Sequence, residues 1–384
     1  MNTIPLQRGL DNWKPTNSQH LSNWLGKEKA EKLSRDMGDF YWPIPVAGVP
    51  GNVYAMPGGD FAGKILTNGE MSAVDRLHES MRRERLFRSK NWSRNNRQLG
   101  AFASADAVYA AVTGGKAQFF NFIKVGVASS AIGGVMDLWT CLTSFPVAGA
   151  AGGAAPGGTV PTSATTGAFA YGNPTSANTG HFLAAEVTAS VVNNTLLLYD
   201  RIFAVAKTMN STATEVVTGV PTRYTNSVVT ALDYIGGNFL FTSNPTTVLP
   251  ATAHNWQLCQ ITNDLGNLVT VPTVAGISSC PVRQVDLALG NWFMPLNATD
   301  KGVKNLTQMQ CSALVATGTI DFVIGHPIAF FPCPAANLVC VRDGLRSTIN
   351  LTSIFDNACL ALMEMPKPAT TLTTYSGLIT TVAE

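Results

Sequence analysis

The side chains with the best claim on chemistry are few and far apart. Gly58-Gly59-Asp60-Phe61-Ala62-Gly63-Lys64-Ile65 matches the GxxxxGK phosphate-cradling turn, but Ile65 stands where a Ser or Thr must hold Mg²⁺. No buried strand precedes it and no long helix follows, so it reads as a glycine turn carrying a surface lysine. The five histidines, His20, His78, His181, His254 and His326, are scattered. His326, with Asp321 five residues upstream, is the best candidate for a general base, and a satisfied histidine at a strand end is the simpler reading. Neither GxSxG nor HExxH occurs, and no carboxylates are paired in sequence. The seven cysteines form no CxxC pair, so they are expected to be small buried hydrophobes and not zinc ligands. No catalytic, metal or cofactor residue is assigned, and no enzyme is expected.

A different chemistry is written in MRRERLFRSKNW, residues 81–92. Arg82, Arg83, Arg85, Arg88 and Lys90 stand against one acid, Glu84, and the stretch ends in Trp92. Arginine and tryptophan are enriched where proteins grip other proteins. Phosphate contact is the minor alternative, because the net charge of the chain is only +2. The charge is also unevenly placed: residues 1–100 hold 15 Lys/Arg and 10 Asp/Glu, while the rest of the chain holds 11 and 14. An arm rich in charge precedes a body whose surface must be polar through hydroxyls and amides, which suits large permanent contacts. Trp13, Trp24 and Trp42 add apolar anchors to that arm, and with Arg82, Arg83, Arg85, Arg88 and Trp92 they are the expected partner-contact residues.

The elements that would position these residues follow from pattern. Residues 1–45 read as an extended arm with one short helix, LSNWLGKEKAEKLSRDM, stopped at Gly38. Residues 43–65, rich in Pro and Gly, must be loop and short strand. Ser72 opens a helix through Val74, Leu77 and Met81 to Arg88, and a second helix runs from Ser104 to Val112 before Gly114-Gly115. From Gln118 the pattern changes to strands: QFFNFIKVGV, GVMDLWTCL, NTLLLYDRIFAVAKT, GNFLFTSN, NWQLCQI, NLVTVPTV, TIDFVIG, NLVCVRD and ACLALMEM. Asn263-Asp-Leu-Gly266 reads as the turn of a hairpin. Residues 147–180, free of charge and small in side chain, read as a long surface loop. The division is therefore an arm, 1–100, and a β-rich body, 101–384, built as an antiparallel sandwich or jelly-roll.

The phrases LLLYDRIFAV (196–205), TGVPTRYTN (218–226), LTQMQCSALVATGTIDFVIGHPIAFFPCP (306–334) and FDNACLALMEMPKPATT (355–371) resemble phrases in head proteins of tailed bacteriophages. That resemblance implies a virion structural protein, the major capsid protein or an auxiliary head protein, assembling in many copies with itself and other virion proteins. It implies one of two folds. The first is a major-capsid α+β fold with a spine helix, for which Ser72 to Arg88 is the candidate. The second is a sandwich body of the auxiliary kind, which residues 118–384 fit better. The N-terminal MNTIPLQRGLDNWK has no apolar signal core, so synthesis in a host cytoplasm and residence in the virion are expected, without a membrane or small-molecule substrate. The alternative is a tail or surface module that binds carbohydrate through aromatics such as Phe169 and Tyr171. A depolymerase with carboxylates clustered in space comes third.

Overall fold

The fold is that of a computed structural model, which describes residues 44–45, 54–55, 65–66, 102, 105–172, 174, 180–224, 237–347, 351–365 and 370–384. The chain divides into two compact units, Met1–Arg88 and Ser89–Glu384. In the first, β1 (Ile44–Pro45), β2 (Tyr54–Ala55) and β3 (Ile65–Leu66) form a small antiparallel sheet in that order. These short strands lie within the Pro/Gly-rich segment that predicts them. The helices expected at 21–37 and from Ser72 to Arg88, and with them the spine-helix alternative, fall outside the described residues.

The second unit begins with α1 (Ala105–Ala111), which runs into a single π turn at Val112–Lys116. Gly115 closes that turn with φ +79°, a left-handed backbone conformation that favours glycine. Three sheets follow. The outer sheet has the order β17 (Cys340–Asp343), β8 (Gly180–Ala189), β20 (Thr374–Ala383), β4 (Ala117–Val125), β6 (Ser144–Phe145), with β18 (Thr352–Ile354) also on β8. The middle sheet has the order β11 (Phe239–Ser243), β16 (Thr319–Cys333), β9 (Asn194–Thr208), β19 (Leu360–Glu364), β5 (Met136–Asp137). The third sheet has the order β10 (Glu215–Val216), β15 (Val303–Cys311), β12 (Asn255–Asn263), β13 (Leu268–Thr270), with β14 (Val274–Ala275) on β12. All described pairings are antiparallel except that of β7 (Gly153–Ala154) with β9. The body is mainly β, as its sequence predicts; α2 (Gly344–Ser347) is one turn long.

The middle sheet organises the rest. β9 and β16 are each 15 residues long and pair from Asn194↔Cys333 to Thr208↔Thr319. Both are buried almost continuously, the pattern of strands covered on both sides. Leu196 and Leu198 of β9 join a core with Phe120, Phe122, Phe182, Val187, Tyr375 and Ile379 of the outer sheet. The intervening Leu197 and Tyr199, with Phe203 and Val205 further along, join a second core with Trp256, Ile261, Leu306 and Met309 of the third sheet. Each aromatic or aliphatic side chain so buried contributes about 1.5–3 kcal/mol.

Two expectations need correction. GVMDLWTCL yields only the two-residue β5, because the chain turns at Trp139, whose indole N–H donates to the carbonyl of Ala150 at 2.7 Å. Residues 147–172 are not a mere surface excursion: β7 pairs with β9, and Phe169 and Tyr171 are buried in the core between outer and middle sheets. Phe169 stands edge-on to Phe120 and Phe122, so this segment closes the core it was expected to leave.

Candidate functional site

Strand β4, AQFFNFIKV, is apolar on both of its faces, and pairing decides which face is covered. Phe120 and Phe122 point inward, and Lys124 follows them into the interior. The Lys124 ammonium donates to the carbonyl of Pro146 at 2.8 Å, and burial lowers its pKa to about 8. Phe119, Asn121 and Ile123 point outward. The register extends this exterior across the sheet. Ile123 stands opposite Ser376 of β20 and Phe145 of β6; Asn121 stands opposite Leu378, which stands opposite Glu186, itself opposite Val341 of β17. Phe119 stands opposite Thr380, with Ala184 beyond it.

Exposure along these rows is high for apolar side chains: Phe119 63%, Ile123 45%, Phe145 58% and Val341 68%. Hydroxyls and one amide, from Thr188, Ser376, Thr380 and Asn121, fill the spaces between them, and the rows carry two carboxylates, the exposed Glu186 and the half-buried Asp343 opposite Ala184. The sheet ends in the two-residue β6 on one side and the four-residue β17 on the other. Short edges discourage strand-by-strand addition.

Charged groups lie instead inside the body. Arg201 of β9 donates through Nη1 to Asp137 Oδ2 at 2.9 Å and to the Tyr199 hydroxyl at 3.2 Å, and its Nη2 lies 3.5 Å from Asp321 Oδ2. The Tyr199 hydroxyl donates to Asp137 Oδ1 at 3.0 Å, and the Trp139 ring covers the guanidinium at 5.1 Å. Burial opposes the charge on Arg201, but Asp137, Tyr199 and Asp321 outweigh it and hold its pKa above the ordinary value. Burial raises Asp321 to about 6, against the pull of Arg201 and of the Gly152 N–H, which donates to it at 2.8 Å. Beside this group Arg223 makes a two-pronged pair with Asp200, at 2.9 and 2.7 Å, and Asp200 also accepts from the Cys359 N–H.

His326 and Asp321, five residues apart in the sequence, take different partners. His326 lies inside β16 and donates from Nδ1 to Asn238 Oδ1 at 2.7 Å, with its ring stacked on Tyr224 at 4.0 Å. Burial lowers its pKa to about 3, so the imidazole is neutral and held as a packed core group. Six of the seven cysteines are buried, as expected, and Cys340 is half-buried. Among the described residues no group of three or more His, Cys, Asp or Glu could hold a metal ion. Phe169 and Tyr171 are 2% and 3% exposed, so they offer no stacking surface to a sugar. Trp13, Trp24, Trp42, Arg82, Arg83, Arg85, Arg88 and Trp92 lie outside the described residues. Sequence reasoning missed Phe119, Ile123, Phe145 and Val341; for β4 the signal was an apolar residue at alternate positions of a strand already apolar on its other face.

These features define a class, a mainly β protein of antiparallel sandwich architecture with an apolar outer face. No family model matches the chain, and no curated protein matches it. Two solved structures of infectious bursal disease virus align with it: that of the Gt strain, with a TM-score of 0.13, and that of the VP2 subviral particle, with 0.11. Each is 10% identical over 70% of this chain and 81% of the other. Scores this low carry no argument about fold or role. No described helix is long and apolar enough to cross a membrane.

Proposed function

We propose that this chain is a structural component of a virion, a capsid or auxiliary head protein of a tailed bacteriophage that assembles with many copies of itself. The observation that carries the reading is the exterior of the outer sheet, where Phe119, Ile123, Phe145 and Val341 stand among hydroxyls and an amide with one exposed carboxylate, Glu186, and one half-buried, Asp343. An isolated monomer gains nothing from such a face, whereas repeated contact between copies removes it from water at every interface. Residues 1–100 are the fastening arm in this reading, with Trp13, Trp24, Trp42 and Trp92 as anchors and Arg82, Arg83, Arg85 and Arg88 as charged contacts. The arm is net basic and the remainder net acidic, so the two are complementary in sign. Other virion proteins are further partners and nucleic acid a minor one; the role is structural and not catalytic, without membrane or small-molecule substrate.

Electron microscopy with mass measurement of the full chain, set beside Phe119→Asp/Ile123→Asp, tests the reading. Large closed particles from the unaltered chain and small species from the double variant are expected. Particles from both would remove this face from assembly. Monomers from both would remove self-assembly and leave an auxiliary protein that adds to a preformed shell.

A further inference from the structure

β16 belongs to the middle sheet and ends at Cys333; β17 begins at Cys340 and forms an edge of the outer sheet. The connection between them, Pro334 to Val339, therefore turns the corner from one layer to the other. It is tied down by the Asn337 N–H, which donates to the carbonyl of Ala189 at the end of β8. Cys333 is fully buried in the core between these layers, and the half-buried Cys340 packs against the same core. Burial, and after it the neighbouring Cys340 thiol, raises the pKa of Cys333 to about 12, and the Cys333 S–H donates to the carbonyl of Phe331 at 3.6 Å. Chain geometry thus brings two thiols together across the seam that joins the sheets, one sealed from solvent and the other reachable from it.

We propose that Cys333 and Cys340 are a redox-active pair that closes to a disulfide, stapling the middle sheet to the edge of the outer sheet when the protein meets an oxidising medium. The oxidant is a small-molecule disulfide of the glutathione class. The Cys340 thiolate attacks one of its sulfurs, forming a mixed disulfide and releasing one reagent thiol. Cys333 then gives up its proton and attacks Cys340 Sγ, forming the Cys333–Cys340 bond and releasing the second reagent thiol. The two protein thiols are oxidised, and the reagent disulfide is reduced to two thiols that carry away the two protons. The second step is the slow one, because Cys333 holds its proton tightly, and it quickens with rising pH. A reducing cytosol keeps the pair open and an extracellular medium closes it. The inference does not rest on the virion reading.

The test treats the folded full-length chain with oxidised glutathione and reads intact mass, chymotryptic peptides and unfolding temperature. Cleavage after Leu338 separates the two cysteines, so closure is seen as a linked peptide pair together with the loss of two hydrogens' mass. The unfolding temperature should rise by roughly 5 °C and return on reduction. Cys333→Ser should trap a stable glutathione adduct on Cys340, and Cys340→Ser should show neither adduct nor temperature shift. Because Cys340 is half-buried, that second variant serves even if Cys333→Ser does not fold. A glutathione adduct persisting on Cys340 in the unaltered chain, a disulfide to a different cysteine, or no modification would each overturn the proposal.

Discussion

The interior of the middle sheet and the exterior of the outer sheet invert the usual placement of residues. β9 buries Asp200, Arg201 and Lys207, while β4 exposes Phe119 and Ile123. At least four of the eleven basic and five of the fourteen acidic residues beyond position 100 are buried, so a chain already poor in charge has a surface poorer still. Three of the buried basic groups are paired across elements: Arg201 with Asp137 of β5 and Asp321 of β16, Arg223 with Asp200, Lys207 with Glu215 of β10 at 2.7 Å. A one-residue slip of β9 would turn each of these groups toward the wrong face and leave it unpaired. Charge inside this protein thus specifies one register for its longest strands, and the lack of charge outside leaves apolar side chains on the exterior of the outer sheet. In the proposed reading the two regions divide the work of folding from the work of assembly.

The largest effect should come from breaking the inner region at its centre. Arg201→Met removes the cation that Asp137 and Asp321 share, leaving two buried carboxylates beside each other. A loss of about 3–5 kcal/mol is expected in urea denaturation. A loss below about 1 kcal/mol would mean that the carboxylates take up protons and the network does not fix the register.

A subtler test exploits the raised pKa of Asp321. Burial moves it from 3.8 to about 6, so between those values the folded protein keeps a proton that the unfolded chain has released. Stability contributed at this position therefore falls as pH rises through that window, by roughly 3 kcal/mol over the whole span. An asparagine side chain in its place has no proton to release. The stability of Asp321→Asn relative to the unaltered protein should climb by that amount between about pH 4 and pH 7, measured by urea denaturation at each pH. A difference that stays flat would mean that Arg201 keeps Asp321 ionised throughout.

The inner region is partly legible in the sequence. NTLLLYDRIFAVAKT declares a buried strand by its length and its apolar residues on both faces, and β9 occupies those residues. The hairpin of β12 and β13 is legible from Asn263 to Gly266, where Gly266 takes φ +84°. β8, β15 and β20 are not: GHFLAAEVTA, VKNLTQMQC and TYSGLITTVA mix Ala, Thr and Gln with few large apolar residues, and their pairing partners make them strands. Asp200-Arg201 within an apolar run announces a buried pair, but the partner Asp137 is 64 residues away from Arg201 and nothing local points to it. Phe169 and Tyr171 stand out as the aromatics of a small-residue segment, and the same property that made them resemble a sugar platform makes them core anchors. The outer face is hidden for a related reason: in QFFNFIKV both alternating sets are apolar, so a period of two cannot say which one faces water.

That ambiguity sets the smallest expected effect and the sharpest contrast. Phe119→Ser and Ile123→Thr alter side chains on the exterior of β4, where the folded monomer leaves 63% of Phe119 and 45% of Ile123 exposed. Each should leave the unfolding free energy within about 0.5 kcal/mol of the unaltered protein, measured at concentrations low enough to keep it dissociated. At assembling concentrations the same substitutions should raise the threshold for particle formation, seen by light scattering. If instead either one destabilises the dissociated chain by more than about 2 kcal/mol, the side chain belongs to the core of a single copy, and the outer face is not the reserve of apolar surface that distinguishes it from the charged interior.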